Sequence, residues 1–289
     1  MIKVISILVF CTVLYSCEKN ITFKLNNVDS ALVVDATIEN DQSPQVILTK
    51  SFDYFSNINA TLLAESFVHN AEVSISNGAI TEQLMEFSYS IGGIKIYYYS
   101  TDISSSFKGK VNTRYNLVIK SNDKNYTATT TIPSIAKTID TLFWKPAPFS
   151  NDSNNVVLFI RSTDPPGLGN YIRYFTKKNQ LPFFPGRNSV FDDQVIDGTS
   201  YQLQVEPGID RNKIIRSDSN YFKKGDFVVL KLCNIDKATF KFWSTWEFAY
   251  TSVGNPFAQP NKVIGNISNG ALGAFYGYAA VYKSIKIPK

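Results

Sequence analysis

The stretch EQLMEFSYSIGGIKIYYYS, residues 82–100, decides the fold class. Two runs rich in aromatic and β-branched residues, 82–89 and 93–100, stand on either side of a glycine pair, Gly92 and Gly93. Such residues favour extended strands, and a Gly-Gly pair between two strands favours a tight reversal of the chain. The stretch therefore predicts a β-hairpin.

The same pattern of short strand and turn repeats on both sides of this hairpin. Seven strands in roughly 100 residues is the number found in an immunoglobulin-like sandwich. We therefore expect an immunoglobulin-like β-sandwich over 31–135, on strand number and spacing alone, because the buried disulfide of that fold has no counterpart here. The predicted strands are 31–39, 44–52, 67–76, 82–89, 93–100, 114–121 and 125–132.

A second β-rich domain is expected over 136–289, because Pro133 ends the last strand of the first half. Within this half, 236–253 has no internal turn residue, a good N-cap in Asp236 and a glycine just beyond its end. The predicted fold is therefore mainly β, with one long helix at about 236–253. The strands expected in this half are 139–144, 156–162, 171–178, 200–206 and 226–235.

The N-terminus has the pattern of an export signal. One positive charge followed by about ten mostly apolar residues is typical of a signal peptide and too short to span a bilayer. We predict a signal peptide over 1–16. Cys17 has Leu14 three positions before it and Ser16 directly before it, which resembles the bacterial lipobox and implies that Cys17 is acylated. The polar residues 17–30 are then a lipidated tether.

The three cysteines follow from this interpretation. The alternative is that Cys11 and Cys17 are buried thiols, but the polar residues directly after Cys17 suit a soluble core poorly. Removal of the signal takes Cys11 and acylation takes Cys17, which leaves Cys233 alone. The mature chain is then expected to have no intramolecular disulfide, although an exported protein is free to form one.

The charge distribution bears on possible partners. The chain has 29 Lys and Arg against 24 Asp and Glu, a formal net charge of +5, and the two signs alternate along it. A nucleic-acid-binding protein usually carries a basic stripe or patch, and none is visible. We therefore expect no nucleic-acid partner, and membrane attachment through lipid alone.

Residues that carry chemistry are few. His69 is the single histidine, which excludes a zinc site built from several histidines. Asp192, Asp193 and Asp197 are candidate oxygen ligands for calcium, but their spacing departs from the EF-hand pattern, and Asp197 with Gly198 also suits a turn. Glycoside hydrolysis needs two carboxylates that face each other. No spacing in the sequence singles out such a pair, and Glu206 and Glu247 are candidates only as any Asp or Glu is. We expect no catalytic residues, no cofactor and no enzymatic activity.

Several motifs resemble one family of bacterial lipoproteins. The N-terminal strands LVVDATIEND (32–41) and VHNAEVSISNG (68–78) are similar to the opening strands of the family described as domain of unknown function 4249. The resemblance covers essentially the whole mature chain and implies an envelope location near TonB-dependent outer-membrane receptors. Further segments that carry it are STDPPGLGNYIR (162–173), VFDDQVIDG (190–198), IDKATFKFWSTWEF (235–248) and NPFAQPNKVIGNISNGALGAFYGY (255–278).

These observations lead to one leading expectation and two alternatives. The leading expectation is a lipid-anchored protein of the outer membrane, a non-catalytic accessory or ligand-capture subunit of a TonB-dependent uptake receptor. The first alternative is an envelope hydrolase that uses carboxylates or a metal. The second is a purely structural envelope protein.

Overall fold

β-Strands dominate the residues that the structure describes, so the predicted mainly β fold class is confirmed. The structure is a computed structural model, and it describes residues 30–52, 56–211, 220–255, 257–259 and 261–289. Its strands are β1 (Leu32–Glu39), β2 (Gln45–Lys50), β3 (Glu72–Ser76), β4 (Thr81–Ile91), β5 (Ile94–Ser100), β6 (Thr113–Ser121), β7 (Lys124–Ile132), β8 (Thr141–Pro146), β9 (Asn155–Thr163), β10 (Tyr171–Lys178), β11 (Phe184–Phe191), β12 (Ser200–Val205), β13 (Phe222–Lys223), β14 (Phe227–Ile235) and β15 (Leu272–Lys286). Its helices are α1 (Ala60–Ser66) and α2 (Lys237–Ser252).

An eleven-stranded sheet runs through most of the described chain. Its strand order is β11-β10-β14-β15-β1-β2-β5-β4-β3-β6-β7. Strands β1 and β15 pair in parallel, with Val33 opposite Leu272 and Glu39 opposite Tyr278. The first and last described strands therefore lie side by side in the interior of the sheet.

Strand β4 changes its partner along its length. Residues 81–84 pair with β3, whereas residues 85–91 pair with β5. This change lets side chains from β1 and β2 pack in the same core as side chains from β3 and β6. Strands β1–β7 correspond to the seven strands expected over 31–135, and their layout is sandwich-like.

The described residues form three hydrophobic cores, one in the first half of the chain, one in the second, and one between α2 and the sheet, and β15 reaches all three. Phe275 and Ala279 of β15 are buried in the core formed by β1–β7. Ile287, directly after β15, is buried in the core of the second half with residues of β8, β9 and β14. Residues 31–289 form one compact unit. The division at 135 and 136 as a border between independently folding domains stays a prediction.

Helix α2 lies within one residue of its predicted limits at both ends. The carboxylate of Asp236 caps it by accepting the Thr239 N–H at 2.8 Å. Phe242 lies on the packed face of the helix and is buried, whereas Val253, directly after its last residue, is 82% exposed. A charged residue of the helix, Glu247, is also buried.

Helix α1 lies in a segment for which the sequence predicted no element. Asn59 caps it, accepting the Leu62 N–H at 2.8 Å. Both described helices fall short of the length and apolar character that a membrane-spanning helix needs. Cys17 and the predicted signal peptide and tether, except Ser30, lie outside the described residues.

Candidate ligand groove and its acidic rim

An open groove lies between the segment that follows β11 and the first turn of α2. Its volume is about 480 Å³, which is within the range of small-molecule sites. Its walls are mostly aliphatic and aromatic, with polar groups supplied by Asp192, Tyr201 and Gln202. The apolar residues that line it are Ile172, Val190, Phe191, Val195, Ile196, Leu203 and Phe240.

The groove is held open by elements that are fixed elsewhere in the fold. Ile172 of β10 is buried in the second core, and the ring of Phe240 stacks on Tyr171 at 4.8 Å between ring centroids. Val195, which also lines the groove, is 94% exposed. Part of the groove is therefore formed by the sheet and helix, while another part presents apolar surface to solvent.

An acidic cluster lies beside this groove, where two loops meet. One carboxylate oxygen from each of Asp164, Asp193 and Asp197 lies within 4.8 Å of the others. Asp193 accepts the N–H groups of Gly169 and Asn170, both at 2.8 Å. The carboxylates therefore bind the loop after β9 to the loop after β11.

A buried lysine, Lys137, forms an ion pair with the same acidic cluster. The ammonium nitrogen of Lys137 lies 2.7 Å from Oδ1 of Asp164, and both side chains are fully buried. Burial works against ionisation of Asp193, but backbone N–H groups and the Lys137 charge lower its pKa overall. A positive charge of the chain itself thus balances part of the negative charge.

The structure brings only part of the predicted calcium set together. Asp193 and Asp197 meet in the acidic cluster, whereas Asp192 lines the groove. Asp164 joins them from the loop after β9, and no sequence pattern indicated a role for Lys137. Binding of calcium by Asp192, Asp193 or Asp197 stays a prediction.

Beneath α2, Glu247 is the centre of a buried polar network. Its carboxylate accepts the Ser189 N–H at 2.9 Å and the Ser189 hydroxyl at 2.5 Å. Arg211 donates to the same carboxylate at 3.3 Å. These contacts explain why a charged residue faces the sheet, and they occupy the Glu247 carboxylate. Glu206, the other carboxylate considered for hydrolysis, is exposed after the end of β12.

Arg173 extends the same network toward the sheet. It donates to the Tyr278 hydroxyl at 2.7 Å and to the Ser189 hydroxyl at 3.2 Å. Its guanidinium carbon lies 3.3 Å from the ring centroid of Trp243, close enough for a cation–π contact. Arg173 and Ser189 are both buried, so this network holds the helix against the sheet.

Cys233 and His69, the other side chains that could serve as nucleophile and base, both have partners or positions elsewhere in the fold. Cys233 is fully buried, and burial raises the pKa of its thiol to about 12, so it stays protonated. His69 pairs with Glu86, with Nδ1 2.6 Å from the carboxylate, and its ring meets Tyr97 edge to face. His69 therefore pairs with the Glu86 carboxylate of the β4–β5 hairpin.

Comparison with known protein families identifies a match. The model of a domain of unknown function, DUF4249, matches residues 18–284, all but the first 17 and the last five residues. No curated protein is similar enough in sequence to be counted as a relative.

Proposed function

The chain belongs to the DUF4249 family, and from this membership, the N-terminal sequence and the groove we propose that it is a lipid-anchored outer-membrane protein that captures a ligand for a TonB-dependent uptake receptor. The protein binds and presents; it does not transform its ligand. The role as accessory subunit comes from the family resemblance, and the role in ligand capture comes from the groove.

The groove is the single observation that carries ligand capture. A concave, mostly apolar site with a few polar groups is the usual form of a small-molecule site. Apolar walls bind by removing ligand surface from water, while Asp192 and Gln202 at the wall fix orientation. The ligand class that fits is a compact, largely apolar or aromatic molecule with a hydrogen-bond donor for Asp192.

The state of the reactive side chains supports a non-catalytic role. The Ser189 hydroxyl and the Glu247 carboxylate are buried and bonded to each other. The Cys233 thiol is buried and protonated. A nucleophile has to reach its substrate, and these three groups are used inside the fold.

A matched pair of variants tests the groove. Val195 in the groove wall and Ile103 elsewhere are exposed aliphatic residues at 94% and 96%, so a charge at either place leaves the fold intact. We expect Val195→Asp to reduce the fluorescence of bound anilinonaphthalene sulfonate, a dye for apolar sites, and Ile103→Asp to leave it unchanged. Equal dye binding by both variants contradicts a groove that binds apolar ligands.

Affinity purification tests the receptor partner. Lys289 at the C-terminus is exposed, so a tag placed there remains accessible. Purification from detergent-solubilised membranes is expected to recover a large β-barrel protein together with the tagged chain. Repeated recovery of the tagged chain alone removes the receptor from the proposal while leaving the groove untouched.

The lipid anchor has its own test at Cys17. Cells supplied with a labelled fatty acid are expected to label the unmodified chain, and Cys17→Ala is expected to lose both the label and membrane attachment. Labelled, membrane-bound Cys17→Ala protein contradicts acylation at this residue.

A further inference from the structure

Strands β4 and β5 form a two-stranded ribbon that extends beyond the neighbouring strands of the sheet. Strand β3 pairs with β4 only at residues 81–84. Strand β2 pairs with β5 only at Ser100 and Tyr99. Residues 85–91 of β4 therefore have β5 on one side, and no strand of the described chain pairs with their other side.

The geometry of the hairpin loop decides which backbone groups face the free side. The loop has two residues, Gly92 and Gly93, both with positive φ, so Ile91 and Ile94 on either side of it form a hydrogen-bonded pair. Bonded and non-bonded pairs alternate along antiparallel strands. The odd-numbered residues of β4 thus bond to β5, and the N–H and C=O groups of the even-numbered ones point outward.

These outward groups belong to Glu86, Ser88 and Ser90, and no hydrogen bond joins them to the backbone of another described residue. The residues that precede β3 do not cover them. Asn70 donates its N–H to the Glu86 carboxylate and Ala71 donates its own to the Tyr99 hydroxyl, both on the side of the ribbon where Tyr99 is buried. The edge presents donors and acceptors in the pattern that another strand requires.

The opposite face of the ribbon is apolar and uncovered. Met85, Tyr89 and Ile91 are 44%, 40% and 62% exposed. Phe87 belongs to the same face because side chains alternate along a strand, and its ring contacts Tyr98 of β5. The edge carries no lysine or proline between 85 and 91, the residues that commonly protect a free edge.

The sequence of this edge, MEFSYSI, is complementary to itself when two copies run antiparallel about Ser88. Phe87 then lies opposite Tyr89 of the other copy, and Met85 lies opposite Ile91. Glu86 lies opposite Ser90, so no like charges meet. In this register the outward backbone groups of Glu86, Ser88 and Ser90 all find partners.

We propose that two copies of the chain pair through this edge, residues 85–91 of β4, in an antiparallel register centred on Ser88. The pairing is two-fold symmetric, so the same segment serves on both copies. It joins the two ribbons into one four-stranded sheet with a continuous apolar face. The pairing leaves the groove beside α2 free and does not depend on its function.

Single cysteines at two neighbouring positions test the register in the full chain. The Cα atoms of Ser88 and its counterpart are about 5.5 Å apart in a hydrogen-bonded pair, which a disulfide can bridge. The two Ser90 positions are four residues out of register, about 13 Å apart, beyond the reach of a disulfide. Ser88→Cys should therefore shift to twice the monomer mass on mild oxidation of membranes, whereas Ser90→Cys and the unmodified chain should not.

A second measurement does not depend on disulfide chemistry. Light scattering of the detergent-solubilised chain should give a dimer, and Ser88→Pro should give a monomer that melts at nearly the same temperature. Proline removes an outward N–H and no bond within the ribbon.

The outcomes separate the proposal from its rivals. Equal cross-linking of Ser88→Cys and Ser90→Cys, or a cross-linked product that contains a different protein, contradicts self-pairing in this register. A monomeric unmodified chain together with no disulfide in Ser88→Cys overturns the pairing altogether.

Discussion

At the scale of single residues, Lys137 and Asp164 form a buried ion pair in which each charge needs the other. Both side chains are inaccessible to water, and the ammonium nitrogen lies 2.7 Å from the Asp164 carboxylate. Removing one partner of a buried pair leaves an unpaired charge, which typically costs about 3–5 kcal/mol.

We therefore expect Lys137→Met to lower the free energy of unfolding by about 3–5 kcal/mol, as measured by denaturant titration. The double variant Lys137→Met with Asp164→Leu should recover much of this loss, because neither partner of the buried pair is then left without the other. If the double variant is less stable than the single one by the full cost of Asp164→Leu alone, the two residues are not coupled.

Glu86 gives a second prediction, for pH dependence. Burial works against its ionisation, but hydrogen bonds from His69, Tyr99 and the Asn70 N–H lower its pKa overall. A carboxylate with a lowered folded pKa stabilises the fold above its ordinary pKa of 4.5 and loses that contribution as pH falls through the folded value.

Glu86→Gln is accordingly expected to be less stable than the unmodified chain near pH 6, with a difference that narrows toward about pH 3. Thermal unfolding across this pH range provides the measurement. The control is Glu72→Gln, because Glu72 is 70% exposed and its ion pair with Lys120 contributes little. A stability difference that is constant over the range contradicts the linkage.

At the scale of elements, Asp236 joins the start of α2 to the first half of the chain. One carboxylate oxygen caps the helix at Thr239, and the other accepts the Thr131 N–H of β7 at 3.0 Å. The residue is therefore both a helix cap and a link between two parts of the fold.

Asp236→Ala should cost about 1–2 kcal/mol from the cap, more if the bond to Thr131 is counted. Asp236→Asn separates the two contributions, because its amide oxygen can still cap Thr239 while its NH₂ group cannot accept from Thr131. We expect an intermediate loss for the asparagine variant in denaturant titration; a loss equal to that of alanine contradicts a separate role for Thr131.

Local sequence patterns predicted most of the strands and the long helix, but they predicted little of the candidate site. Strand alternation predicted β1–β7, and the N-cap with its following glycine predicted α2. Helix α1 was missed because it is too short for its periodicity to stand out, and β11 because it contains Pro185 and Gly186. The groove and the ion pair at Lys137 depend on segments distant in sequence, which no local pattern reports.

At the scale of the whole molecule, β15 joins two cores that the sequence treats as separate domains. Phe275 of β15 is fully buried in the first core, and Ile287, the residue directly after β15, is fully buried in the second, against which Ile285 of the strand packs. A disturbance in this strand should therefore be felt in both halves of the chain.

Phe275→Ala is expected to lower the free energy of unfolding by about 3–5 kcal/mol. If the two cores unfold together, hydrogen exchange should accelerate by a similar factor at β6, in the first core, and at β9, in the second. Faster exchange confined to β6 and its neighbours would show two independent units and favour the domain division at residue 136.

The parallel pairing of β1 with β15 also sets an order of events during folding. The interior position beside β1 is filled by residues 272–286, which are synthesised after every other strand of the described chain. A sheet completed by contacts this distant in sequence folds slowly. Until β15 is added, one side of β1 has no strand beside it, so the partly made chain carries an unpaired sheet edge.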